Sequence, residues 1–187
     1  MRAAEKELAA KGFSGARVEE IARRAKVKKQ LLYHYFASKE ALLDEILHRQ
    51  IEQKALRVYK APGEATDLLE YHFASRLGDL DWIRFLTWEA ASSGNRRVHS
   101  ERERREAFVQ QAEELRRSYP ESFASADLDP TMVLLAIYSL TTYPLAFPQI
   151  TRMIAGQSAT SEAFRDAWQR FLRVLGERLM DAGGSEA

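Results

Sequence analysis

The chain has 187 residues, 45% of them apolar and 29% charged, with 28 basic against 27 acidic side chains and no cysteine. That length suffices for a full hydrophobic core, and the lack of cysteine excludes a disulfide framework and any thiolate metal site, as suits a reducing compartment. The amino-terminal MRAAEKEL is charged and helical in pattern, unlike a signal or transit peptide, and the longest apolar run, Met132 to Phe147, is too short and too interrupted by Thr, Ser and Pro to span a bilayer.

The first segment, Arg2 to Lys11, is rich in Ala, Glu and Lys and reads as a helix that Gly12 ends, with Phe13 and Leu8 packing together behind it. Val18 to Phe36 then reads as two short helices around a tight turn. Val18, Ile21, Ala22 and Ala25 form one apolar stripe; Leu32, Tyr35 and Phe36 form another, with Val27 at the corner. These residues make a small core and leave Lys28, Lys29, Gln30, Tyr33 and His34 facing outward, a mixture of phosphate-seeking and base-edge-reading groups. The charge follows the same division. Residues 1 to 60 hold 14 Lys and Arg against 8 Asp and Glu, whereas residues 61 to 187 hold 14 against 19 and contain no lysine. An amino-terminal region that meets a polyanion accounts for this asymmetry; a merely lysine-rich surface is the plainer alternative.

Ser38 stands as an N-cap ahead of Lys39, Glu40 and Ala41, and Leu42, Leu43, Ile46, Leu47 and Ile51 continue a long helix to about Lys60. Ala61, Pro62 and Gly63 break it. Everything after Glu64 reads as helix, in segments near Ala65 to Leu77, Asp81 to Ala91, Arg96 to Ser118, Pro130 to Ile154 and Ser161 to Met180, with turn clusters between them. No segment alternates as a strand does, so the expected fold is all-α. The stretch Met132 to Phe147 is apolar nearly all round and demands burial on every side, either inside its own domain or also against a second copy of the chain. Pro144 and Pro148 are expected to kink or break it.

No enzyme signature is present. Glu45 and His48 form a single Glu-x-x-His pair, where carboxylate-bridged metal bundles need two such pairs and further glutamates. There is no zinc-protease motif, phosphate loop or nucleophile elbow, so neither a catalytic residue nor a metal or cofactor is expected. The run RRVHSERERRE, Arg96 to Glu106, reads as a solvated helix face with internal ion pairs.

The run Gly12-Phe13, Val18, Ile21-Ala22, Ala25, Val27, Lys29, Leu32-Tyr33-His34, Phe36 and Ser38-Lys39-Glu40-Ala41-Leu42 resembles the amino-terminal domain of the TetR-type (TetR/AcrR, tetracycline-repressor-like) transcriptional regulators. The later part resembles them in its helix count, in Trp88-Glu89 and in Phe147-Pro148-Gln149-Ile150. The resemblance implies a three-helix helix-turn-helix DNA-binding domain, here residues 1–44, and a larger helical effector-binding and dimerisation domain, residues 45–187. It implies a cytoplasmic homodimer, most simply a repressor, that binds a near-palindromic duplex operator and is released by a small-molecule effector, lipophilic or aromatic in character. A helical protein-interaction module that never meets DNA, or a helical-bundle enzyme, are the alternatives.

At the level of residues, the resemblance puts Tyr33, His34 and Lys39 at phosphates or base edges. The departures from the family pattern are Arg17, where a hydroxyl residue is usual nearby, Lys26 in a turn that often holds Gly, and Lys28, Gln30 and Leu31 at the head of the recognition helix. With Lys29, these residues complete the expected DNA-binding set, Gln30 suiting an adenine edge, a lysine a guanine and Leu31 a thymine methyl. Trp82, Phe85, Trp88, Phe108, Tyr138 and Tyr143, with the polar His72, Glu89, Gln111 and Thr142, are candidates for lining an effector pocket or else simple packing residues. Leu140, Phe147, Phe164, Trp168, Phe171 and Leu175 are candidates for the dimer interface, which the resemblance places on the last two long helices.

Overall fold

A computed structural model describes residues 2–54, 62–94, 96–98, 100–124 and 128–180. Ten α-helices and one 3-10 turn make up its regular structure, and no strand occurs among the described residues. They group into two compact units, one drawn from residues 1–57 and 81–107, the other from 58–80 and 108–187.

In the first unit, α1 (Arg2–Gly15) packs on α2 (Val18–Ala25) and on α4 (Lys39–Lys54), and α2 packs on α3 (Lys29–Tyr35). The core is formed by Ala4, Leu8, Ala16, Val18, Ile21, Leu42, Leu43 and Ile46, with Leu32 and Phe36 packed against it. Gly12 does not end α1 outright. It takes φ 66° and kinks the helix, which resumes to Gly15. Glycine is favoured there by the positive φ, and a β-carbon built on it would lie 3.3 Å from the ring of Trp88 on α6 (Leu80–Ser93), a tight contact. A second cluster joins Leu47 and Ile51 of α4 to Trp82, Phe85 and Leu86 of α6. The start of α7 (Glu101–Ser118) belongs here too, where Arg104 donates from one nitrogen, Nη1, to both oxygens of Glu89 at 2.9 Å. Here the charged run after Arg96 is helical only from Glu101, and it carries ion pairs as its alternating signs suggested, Arg102 reaching Glu103 and Glu106. The expected extension of α4 from Lys54 to Lys60 lies outside the described residues, as does the Phe13 side chain.

The second unit is built on α5 (Leu68–Leu77), preceded by the 3-10 turn Ala65–Asp67 and packed on α8 (Pro130–Ala146) and α10 (Glu162–Met180). Phe73, Ile137, Thr141 and Leu172 are fully or almost fully buried. Asp129 caps α8 by accepting from the backbone N–H of Thr131 and Met132. The helix expected to run from Pro130 to Ile154 is two helices, α8 and α9 (Pro148–Ala155), meeting at 88°. Pro144 is absorbed inside α8, and Pro148 makes the break. Residue 148 has no N–H to give the carbonyl four positions earlier, so the Pro144 oxygen is left open; the Thr151 hydroxyl donates to it at 3.0 Å and fixes the bend. Bending leaves α8 apolar but not enclosed. Leu134, Ile137 and Leu145 are buried, while Met132, Leu135 and Tyr143 stay exposed.

Candidate functional site

The helix pair α2–α3 is built to show one face outward. Val18, Ile21 and Ala22 bury one side of α2, whereas Ala25 at its end is exposed. Lys26 then turns the chain in the left-handed region, φ 56° and ψ 39°, and its N–H bonds back to the last turn. This is the positive φ that a glycine would adopt without strain. The Val27 N–H closes the same turn onto the Ala22 carbonyl at 3.0 Å, though its side chain is half out of the core. From Lys28, α3 begins without a side-chain cap.

Leu32 and Phe36 anchor α3 to the core, as the spacing implies. Tyr35 does not join them: it is 72% exposed and stands edge-on to His34. The reason is local. Helix α3 is seven residues long, and Phe36 leaves it in an extended conformation, φ −127° and ψ 120°, which swings Phe36 inward and leaves Tyr35 outside.

Every residue of the expected DNA-binding set lies in this unit. Arg17, Lys26, Lys28, Lys29, Gln30 and His34 are exposed, as are Leu31 at 44% and Tyr33 at 43%. Lys39, partly buried, donates from Nζ to the Ser14 carbonyl at 3.1 Å and ties the start of α4 to the end of α1. Ser38 caps α4 by accepting from the Ala41 N–H. Lys29 is engaged: its Nζ sits 2.5 Å from Glu19 Oε1 and 5.5 Å from the Tyr33 ring centroid. The hydrogen bond from Lys29 holds the Glu19 carboxyl below its usual range, and the same bond raises the Lys29 ammonium. Glu20, bonded by Arg23 and Arg24, is lowered to about 2. Lys26 and Lys28 carry no carboxylate partner among the described residues, so their charge is available to an anion.

The candidate effector residues fall in both units. Trp82 and Phe85 stack in the α4–α6 cluster, Trp88 covers Gly12, and Glu89 is held by Arg104. In the second unit, Tyr138 donates to Gln111 Oε1 at 3.2 Å and Phe108 meets its ring edge-on. His72 is buried, and burial together with the Arg76 charge pushes its imidazole down to about 4, so it is neutral near pH 7. The Thr142 hydroxyl is buried without a hydrogen-bond partner, and Tyr143 is exposed beside Phe147.

A separate apolar cavity of about 250 Å³ opens in the same unit between α5, α8 and α10. It is lined by Leu68, Leu69, Met132, Val133, Ile137 and Leu179 among others, and none of the candidate effector residues borders it. Its one charged lining group, Asp129, is occupied in capping α8. No sequence signal marked this space, because it is formed where three helices distant in sequence fail to fill it. Among the candidate interface residues, Phe164, Trp168 and Phe171 stack in series along α10, with Phe164 buried and Phe171 half exposed. Leu140 and Leu175 are partly buried and Phe147 is exposed. No cluster of potential metal ligands occurs among the described residues; Glu45 and His48 pair with Arg49 and Glu52 instead.

Comparison with known proteins agrees with this geometry. Residues 1–46 match the family model "Bacterial regulatory proteins, tetR family". The chain is 26% identical over 181 residues to the HTH-type transcriptional repressor SCO4008 of Streptomyces coelicolor, covering 94% of this chain and 92% of that one. Among solved structures, a Streptomyces coelicolor protein described as the transcriptional regulator SCO4942 superposes with a TM-score of 0.70 at 24% identity, over 95% of this chain and 94% of that one. The regulator FadR from Bacillus subtilis in complex with stearoyl-CoA gives 0.53 at 17% identity, over 91% and 94%. No single helix among the described residues is long and apolar enough to cross a membrane. With a helix-turn-helix face at its amino terminus, a matching family model over that face and a repressor relative along nearly its whole length, residues 1–46 carry a helix-turn-helix domain of the tetR family of bacterial regulatory proteins, and the chain as a whole is similar to a DNA-binding transcriptional repressor.

Proposed function

We propose that the protein is a cytoplasmic repressor that binds a near-palindromic duplex operator as a homodimer and leaves it when a small apolar molecule occupies its carboxy-terminal part. The observation that carries the reading is the outward face of α2–α3, where Lys26, Lys28, Gln30, Leu31, Tyr33 and His34 are exposed while Leu32 and Phe36 hold the helix to its core. Residues 1–44 are the DNA-binding part. Arg17, Lys26, Lys28 and Lys39 add phosphate contacts, Lys29 chiefly orients α3, and Gln30 and Leu31 read base edges. Residues 45–187 carry effector binding and dimerisation.

Dimerisation uses α8 and α10. Their exposed apolar residues, Leu135, Tyr143, Phe147, Phe171 and Val174, continue the candidate set of Leu140, Phe164, Trp168 and Leu175, and leaving so much apolar surface in water is costly. Two recognition helices related by a two-fold axis then enter successive major grooves roughly 34 Å apart. An effector response is supported by the apolar cavity and by the stearoyl-CoA bound to FadR, a protein of similar fold. Within the second unit, His72, Phe108, Gln111, Tyr138, Thr142 and Tyr143 remain proposed ligand-facing residues, and the apolar cavity is a further candidate space; Trp82, Phe85, Trp88 and Glu89 are taken up in packing and an ion pair of the first unit.

The test is selection of bound sequences from random duplex DNA, followed by affinity measurement across a salt series. The selected site should be a near-palindrome and its affinity should fall steeply with salt. Gln30→Ala should relax preference at one position and Lys39→Ala should weaken all sequences alike. A well-folded protein that selects no sequence would refute the proposal and favour a protein-interaction module.

A further inference from the structure

We infer that Arg76 is an anchor for the carboxylate of an apolar organic acid, so that the effector class is an apolar monocarboxylate and not a neutral or cationic hydrophobe. This rests on the reading that the carboxy-terminal part binds a small molecule. Arg76 lies on α5 one turn after His72, and its guanidinium carbon sits 4.4 Å from the centroid of the Tyr138 ring on α8. The contact with the ring face holds the guanidinium in place and leaves its in-plane N–H donors to find a partner elsewhere. No partner is there. Among the described residues no carboxylate pairs with Arg76, and its Nε is buried without an acceptor. Elsewhere in the same unit Arg116, Arg117 and Arg173 each hold a glutamate, Arg173 through three hydrogen bonds to Glu70.

A partly buried cation with an unsatisfied donor is costly to maintain, and the contact with the Tyr138 ring offsets only part of that cost. His72 beside it is neutral and adds no second charge. The other buried side-chain atoms of this unit that lack a partner are Thr142 Oγ1 and Trp168 Nε1. Arg76 Nε and Trp168 Nε1 can only donate and the Thr142 hydroxyl can donate as well as accept, so an acceptor beside Arg76 would satisfy a group the unit leaves open. Thr142 follows Tyr138 by one turn of α8, on the same face as the ring that carries Arg76. A carboxylate supplies acceptor oxygens in the plane that a guanidinium fork fits, and gains a charge-assisted bond in a site shielded from water. The apolar remainder of the ligand matches the aromatic surroundings, Phe108 and Tyr138; the apolar cavity, which Arg76 does not line, begins about two turns back along α5 at Leu68 and Leu69.

The experiment is calorimetric titration of the full-length protein with decanoate, decanamide and decylamine, and with 4-phenylbutyrate and its amide, in wild type, Arg76→Gln, Arg76→Lys and Tyr138→Phe, with melting curves to verify folding. In wild type at least one acid should bind on the order of ten-fold or more tighter than its amide, the worth of one charged hydrogen bond. Arg76→Gln should bring the affinity for the acid down to that for the amide, and Arg76→Lys should keep part of the preference. Equal affinity for acid and amide in wild type would overturn the inference without reference to any variant, as would the absence of binding by both acids. A preference that survives in Arg76→Gln would overturn it too. Because the readout is binding and not DNA release, failure here is distinct from failure of the repressor reading: a protein released from its operator by decylamine or an amide keeps that reading and loses this one.

Discussion

The buried imidazole of His72 makes the second unit acid-sensitive, and the size of the effect follows from its surroundings. In the unfolded chain His72 titrates near 6.5; in the folded protein burial, aided by the Arg76 charge, pushes it down to about 4. Between these values the unfolded chain binds a proton that the folded one refuses, so stability falls as the pH drops from neutrality towards 4 and the loss is complete below it. From pH 7 to pH 5 the expected loss from this residue is about 2 kcal/mol, out of about 3 kcal/mol in full, at about 1.4 kcal/mol per pH unit. His72→Gln keeps a polar amide at the position and cannot titrate. Urea unfolding of wild type and variant at pH 7 and pH 5 isolates the residue, because the carboxylates titrate alike in both. Wild type should lose about 2 kcal/mol more than the variant over that interval. Parallel losses in the two proteins, within about 0.5 kcal/mol, would show that His72 accepts a proton in place and that its burial is not what the geometry indicates.

Lys26→Gly should raise the thermal stability by about 1 kcal/mol, since Lys26 occupies φ 56° where glycine is unstrained; no gain would contradict that turn geometry. Gly176→Ala should cost more than about 2 kcal/mol in denaturant unfolding, because its β-carbon would fall 2.3 Å from the backbone oxygen of Thr66 and force α10 away from the 3-10 turn. Lys28→Ala should weaken DNA binding uniformly and lower the salt slope by about 1 per phosphate contact. Lys29→Ala should cost more than Lys28→Ala because it releases the Glu19 carboxylate, and adding Glu19→Gln should recover part of the loss in binding titrations. Phe171→Glu should yield folded monomers by sedimentation, because Phe171 is half exposed while Phe164 behind it is buried; an intact dimer would place the interface elsewhere.

The local features were legible because they depend on neighbours in sequence. The stripe of Val18, Ile21 and Ala22, the Ser38 cap and the outward set on α3 each follow from periodicity or from one side chain and one amide. Where a short element ends, periodicity misleads. Tyr35 and Phe36 read as one stripe, yet the change of backbone at Phe36 sends them opposite ways. The two prolines were equally suspect in sequence, since each lacks a donor. Pro148 breaks the helix where the Thr151 hydroxyl is placed to repair the open carbonyl, a contact that needs the bend to exist. The apolar cavity and the unpaired Arg76 were not legible at all. One is missing volume between helices distant in sequence, and the other is a missing carboxylate; neither leaves a pattern among the residues that are present.

The pairing of Lys29 shows why counting cations overstates what DNA gains. Lys29 and Glu19 join α3 to α2 across the turn, adding to the hold that Leu32 and Phe36 have on α3. Both side chains are substantially exposed, which makes the bridge weak in water and cheap to open. A phosphate approaching Lys29 must displace or share with a carboxylate that the same bond keeps ionised well below neutrality. The exchange trades one anion for another and releases fewer net counterions than a free lysine would. Lys26 and Lys28 have no such competitor. On the proposed DNA-binding reading, the salt dependence of binding should therefore fall mainly to the unpaired cations at the turn, Lys26 and Lys28, which are among the residues that depart from the family pattern. Lys29 contributes chiefly through orientation, and this is why its loss is expected to cost more than one phosphate contact.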